Sequence, residues 1–300
     1  MLLLLVLLAA VARNDARNEQ TICDGLIFHD VYHDQHILLK NLGRPNNLVM
    51  HRFTGTLFFS QTIQKGTDVD FVIMACQIYE KNAPCQEIMG VAGGYAIAYD
   101  EGNDDIYFGG HNGIYKYNYL KKSAEFFAEE GKSIWGLFIQ KNFYYIEYPT
   151  QKLYVYQNER FMQVAEAMNI EIDNFFISKK GEVYLSNKTA LYKVEKMSKY
   201  IVMIDDEVAV RQIIDDSYGD VYFCGADGVY LEDKPYNRIK KIADINKAFG
   251  MTFDEKDNVI YSDERAIYAL RPSNKSEICF VNSDEEYRNA LDLLRGYIID

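Results

Sequence analysis

Positive charge is in short supply in this chain. Lys and Arg number 32 against 44 Asp and Glu, which leaves a formal net charge of −12. That balance argues against nucleic acid or an anionic membrane surface as partner, and it favours solubility. Catalytic signatures are missing too: there is no Gly-x-Ser-x-Gly elbow, no His-Glu-x-x-His and no phosphate-binding loop. Cysteines are few, and Cys23, Cys76, Cys85, Cys224 and Cys279 do not have zinc-site spacing. Beyond Ala12 no stretch is long and apolar enough to cross a bilayer. Tryptophan is reduced to one residue, Trp135, beside 24 Tyr and 17 Phe.

The abundant aromatics are not scattered. Six short strands carry them: Thr56 to Phe59, Asp105 to Phe108, Phe143 to Ile146, Glu182 to Leu185, Asp220 to Phe223 and Asn258 to Tyr261. Taken at Phe58, Tyr107, Tyr145, Tyr184, Tyr222 and Tyr261, the intervals are 49, 38, 39, 38 and 39 residues. A period near 40 with several short strands per repeat predicts an all-β, six-bladed β-propeller over residues 21–281. Within each repeat an inner strand, a polar turn, the aromatic strand, a Gly/Asn/Asp loop and two further strands follow in order. The long first interval reads as an enlarged loop, Gln61 to Asp70. Leu26 to Phe28 and Ile37 to Leu39 have no full blade of their own and are assigned to ring closure with the last blade. Seven blades is the alternative, if residues 24–40 form half of one.

Both ends read differently. Leu2 to Ala12 is apolar but too short to span a bilayer, and Ala10-Val11-Ala12 is a small-x-small cleavage site. Residues 1–12 are expected to be a signal peptide, with cleavage at Ala16 as the alternative, so the mature protein should be secreted. The sequons at Asn187 and Asn274 fit that compartment. So would disulfides: Cys76 with Cys85 as a hairpin staple, Cys23 with Cys279 across the ring closure, and Cys224 left free in a strand. From Ser283 to Ile299, Tyr287, Ala290, Leu291, Leu294 and Ile298 recur at helical spacing, so residues 283–299 are expected to form a short amphipathic helix. The protein is expected to be a monomer.

In a propeller the residues that open each inner strand share one face with the loops between the second and third strands. This places Asn47, Tyr95, Trp135, Asn174, Arg211 and Phe249 around the axis, with His111, Tyr148, Asp227 and Asp263 at the rim. Aromatic planes, amides and one guanidinium suit a flat, polar, partly anionic small molecule. An Arg211–Asp173 salt bridge is the purely structural alternative. A calcium-dependent lactonase or esterase is the enzymatic alternative, with Asp173, Asn174, Asn47 and Asp263 as oxygen donors. Against it, the inner-strand openings supply one carboxylate, and Arg211 would repel the metal. His29, His33 and His36 read as solvated, and no cofactor is implied.

The stretch Gly90 to Asp100, together with Ile106 to Tyr117, Ser133-Ile134-Trp135 and Glu147-Tyr148-Pro149, resembles the insect ommochrome-binding proteins. The similarity runs over most of the mature chain and is strongest from Gly90 to Tyr156. It implies a non-catalytic carrier, secreted into haemolymph, for ommochrome pigments or their precursors from tryptophan breakdown, which are planar ligands bearing amino-acid groups. The enlarged first-blade loop departs from the family and, folded over the axis, would change the ligand or close the site.

Overall fold

A computed structural model describes residues 23–80, 82, 84–194 and 200–273. The expected leader, Cys279, Asn274 and the expected helix over residues 283–299 lie outside the described residues.

The described chain forms six antiparallel sheets, which are the six blades of a propeller. Blade one comprises Pro45–His51, Thr56–Lys65, Asp68–Gln77 and Cys85–Glu87. Blade two runs through Ala96–Asp100, Asp105–Gly110, Gly113–Asn118 and Ser123–Ala128, and blade three through Ser133–Ile139, Phe143–Tyr148, Lys152–Gln157 and Arg160–Gln163. Blades four and five begin with the inner strands Asn174–Ile177 and Val210–Asp215. Blade six takes Gly250–Phe253, Val259–Ser262 and Ile267–Pro272 from the end of the chain and completes itself with Val31–Leu39 and Leu26–Phe28 from the beginning. Val31–Leu39 pairs antiparallel with Ile267–Pro272, so the ring is closed by strands from both ends, as the sequence implies. Seven blades are excluded.

The aromatic strands are near-continuous apolar runs because successive residues bury into different interfaces. On Asp105–Gly110, Ile106 and Phe108 pack with Phe58, Ile73 and Tyr117 between blades one and two. Tyr107, pointing the other way, packs with Ile134 and Tyr145 between blades two and three. The same alternation recurs around the ring, and each of the six clusters fills one gap between neighbouring blades. A blade therefore has two buried faces and no solvated one, which removes the usual apolar–polar alternation of an antiparallel sheet.

Residues Gln61 to Asp70 are not a loop. They continue two ten-residue strands, Thr56–Lys65 and Asp68–Gln77, in unbroken register to a tight turn at Gly66 and Thr67. The hairpin stands on the face where the inner strands begin. Cys76 and Cys85 are bridged, as expected, and pin the short outer strand of the same blade. Cys23 is also disulfide-bonded. Cys224 is free and fully buried.

Candidate functional site

The six inner strands enclose an axial cavity of about 670 Å³. Asn47, Tyr95, Trp135, Asn174, Arg211 and Phe249 all line it. His111 and Tyr148 do not; they stand at its rim.

Three of these residues reach the cavity through the same local device. The inner strands of blades one, three and five slip register against their partners where they begin. The slips fall between Asn46 and Val49, between Ile134 and Gly136, and between Val210 and Gln212. The residues thrown out of the ladder are Asn47 with Leu48, Trp135 and Arg211. A β-bulge frees a side chain from strict alternation and re-aims it, and here it turns these toward the axis.

Aromatic rings form a continuous row along one wall. Tyr95 and Trp135 are stacked, with centroids 4.1 Å apart and planes at 15°. Phe71, from the long hairpin of blade one, meets Tyr95 edge-on at 4.8 Å. Tyr148 lies at 5.7 Å from Trp135 and remains half exposed at the mouth. Burial pushes the Tyr95 hydroxyl up from 10.0 to about 12, and the field of Asp173 adds to it.

The opposite wall is cationic. The Arg211 guanidinium lies 4.0 Å from the centre of the Phe249 ring and donates from Nη1 to the Ala248 carbonyl at 2.5 Å. Arg44 approaches the same ring at 5.2 Å. Burial lowers the pKa of Arg211 from its ordinary value, and the neighbouring Arg44 charge acts in the same direction. The Arg211–Asp173 salt bridge, the structural alternative, does not form. Asp173 accepts instead from Gln151 Nε2, and burial raises the pKa of its carboxyl. Among the described residues Arg211 has no carboxylate within ion-pair distance.

The amides are partly committed to structure. Asn47 Nδ2 donates to the Tyr95 carbonyl at 2.9 Å, tying blade one to blade two. Asn174 Nδ2 donates to the Val210 carbonyl at 3.1 Å and to Ser186 Oγ at 3.0 Å. Both its N–H bonds are thereby used, so the group Asn174 can offer to a cavity occupant is its carbonyl oxygen. Gln212, absent from the sequence reading, donates to the Leu48 carbonyl and accepts from Met251 N–H, each at 3.0 Å.

At the rim, His111 Nε2 is 3.2 Å from Asp70 on the long hairpin. The imidazole lies directly over Gly93, whose φ is +59°. A Cβ there would come within 2.1 Å of His111 Nε2, so both the backbone conformation and the space demand glycine. The hairpin thus leans toward blade two, touching it through Asp70 and Phe71, and becomes part of the cavity mouth.

Of the oxygen donors weighed for a metal, Asn47, Asp173 and Asn174 line the cavity and Asp263 does not. Asp263 accepts from Tyr268 and from the Arg265 and Ala266 amides and is not a lining residue. Among the described residues no three His, Cys, Asp or Glu side chains gather as a metal centre requires. His33 bonds the Val31 carbonyl, and His36 is exposed.

Sequence reasoning missed Arg44 and Phe71. Arg44 precedes the first inner strand with a φ of +42°, and nothing in the local pattern marks it. Phe71 directly follows the segment read as a loop, Gln61 to Asp70, and belongs to the strand Asp68–Gln77.

The molecule is thus a six-bladed propeller with an axial cavity walled by stacked aromatics on one side and guanidinium groups on the other. The chain is similar to an ommochrome-binding protein from Manduca sexta, with 26% identity over 258 residues, covering 84% of this chain and 92% of that one. The resemblance carried by Gly90 to Tyr156 therefore extends along the chain. No protein-family model matches. Among solved structures the fold is shared with a gluconolactonase from Xanthomonas campestris (TM-score 0.63, 11% identity, 84% of this chain and 96% of that one). An auxiliary nutrient binding protein from Bacteroides thetaiotaomicron shares it too (TM-score 0.60, 11% identity, 82% and 76%). So does a streptogramin B lyase (TM-score 0.55, 13% identity, 81% and 98%). Enzymes and a binding protein thus stand on the same architecture, which at such identities speaks for the fold alone.

Proposed function

We propose that this protein is a non-catalytic carrier that binds a small planar aromatic ligand, an ommochrome or a precursor, in the axial cavity. The observation that carries the reading is the Tyr95–Trp135 stack inside a cavity of about 670 Å³, a size that suits a small ligand. The ring row lines the cavity with apolar surface and polar edges, against which a planar ring can pack with little loss of rotamer freedom. Asn47, Asn174 and Arg211 supply the polar contacts, with His111 and Tyr148 at the rim. Similarity to the Manduca sexta protein points the same way. The hydrolase reading has one carboxylate, Asp173, where the inner strands begin, and the donor set does not fit a metal.

The Cys76–Cys85 bridge supports an oxidising, extracellular location. Asn187 holds its sequon in a turn, accepting from Thr189 N–H and Oγ1 and from Ala190 N–H, on a segment where a glycan has access to solvent.

Equilibrium dialysis against xanthommatin tests the proposal. One bound equivalent per chain, retained in chelator, is expected. No binding, or turnover of the pigment, sinks it.

A further inference from the structure

We infer that Arg44 and Arg211, flanking the Phe249 ring, form an anion clamp that requires the ligand to carry a carboxylate and fixes which end of it enters beside blades one, five and six. The inference rests on the cavity being the ligand site and goes beyond it in naming the ligand's charge and orientation.

Two cations share one ring on a protein whose net charge is −12. Such proximity is unfavourable unless something offsets it, because each charge destabilises the other. The surrounding acids offset it only at a distance, with none in ion-pair contact with either guanidinium. Glu264, whose field reaches Arg211, is bound to Lys247 at 3.0 Å. Asp173 is held by Gln151. Among the described residues neither Arg44 nor Arg211 has a carboxylate partner.

Phe249 supplies the geometry. A guanidinium stacked on an aromatic face keeps its N–H groups directed outward in its own plane. Arg211 spends one such donor on the Ala248 carbonyl, which anchors the group and leaves others for an incoming acid. A carboxylate held by two such groups gains charge-assisted hydrogen bonds and removes the repulsion between them. Both arginines line the cavity, Arg44 exposed and Arg211 half-buried, so the acid is placed along this wall. The aromatic portion then faces the Tyr95–Trp135 stack.

Paired probes isolate the charge: quinoline-2-carboxylate and its neutral isostere quinoline-2-carboxamide, titrated calorimetrically at pH 7 and low salt against the whole protein. The acid is expected to bind about tenfold more tightly than the amide, as befits one charge-assisted contact. Arg44→Gln and Arg211→Gln should each erase most of that preference, weakening the acid far more than the amide. Thermal unfolding establishes that each variant is folded. Should Arg211→Gln fail to fold, the exposed Arg44→Gln carries the test alone. Equal affinities for the two probes, a preference that survives Arg44→Gln, or no binding of either probe overturns the clamp. Equal affinities with xanthommatin still bound would overturn the clamp and leave the carrier standing. Loss of every ligand would remove both.

Discussion

Tyr95 and Trp135 come from neighbouring blades and stack at 4.1 Å, so the proposed ligand platform is also a contact between blades two and three. Binding and stability are therefore coupled at this pair. Trp135→Ala should cost about 1–3 kcal/mol, less than a fully buried tryptophan would, because the ring is only partly buried. Denaturant unfolding with an unchanged m-value would measure it. A change within experimental error would mean that the stack contributes nothing to the fold.

The same tyrosine gives a pH dependence whose direction follows from linkage. Its hydroxyl ionises near 10.0 when unfolded and only at about 12 when folded, because burial disfavours the phenolate. Between those values the unfolded chain has lost a proton that the folded chain retains. Stability is thus fully present below pH 10 and declines toward pH 12. Other buried tyrosines shift the same way, so the share belonging to Tyr95 is the part removed by Tyr95→Phe. That variant should lose melting temperature less steeply than the parent across this window. Parallel curves would contradict the assignment.

Asp70 holds the hairpin against blade two. Burial raises its pKa, but the Phe71 N–H, Lys65 and His111 outweigh that and bring it below the ordinary carboxylate value. The stability it lends is present at neutral pH and lost on acidification through its folded pKa. Asp70→Asn should raise amide exchange in residues 62–70 while changing global stability by less than about 1 kcal/mol, as for other exposed pairs. Unaltered exchange there would show that Phe71 alone holds the hairpin in place.

Thiol chemistry separates the cysteines. Cys224 is fully buried, and burial pushes its thiol up to about 12. It should not react with a thiol reagent in the native protein and should react fully once unfolded. Replacing Cys76 and Cys85 together by serine should cost about 2–3 kcal/mol, the cost of freeing a short loop. The loss should appear first in the exposed outer strand Cys85–Glu87.

Blade number and ring closure were legible because the physics behind them is local and repeated. An aromatic strand that feeds two interfaces leaves a mark such as Ile106-Tyr107-Phe108 in every repeat. Leu26 to Leu39 held too few strands for a full blade, which pointed to ring closure. The cavity residues were legible as positions, since each opens an inner strand. What the sequence did not carry was the bulges that aim Asn47, Trp135 and Arg211, because an extra residue in a strand has no compositional signature. Gln61 to Asp70 looked like loop because its outer half, Gln64-Lys65-Gly66-Thr67-Asp68, is polar. Pairing of two strands that project beyond the blade asks for no apolar face. Arg44 was hidden for the opposite reason: its role comes from Phe249, some 200 positions away in the chain.

The most direct test of the account is a titration of the folded protein with xanthommatin, following Trp135 emission and the pigment's visible band together. With a single tryptophan in the chain, emission reports on the proposed platform alone. Saturable quenching with a shifted visible band, absent in Tyr95→Ala, is the predicted result. Binding seen in the pigment band without any change in Trp135 emission would place the ligand elsewhere and contradict the site.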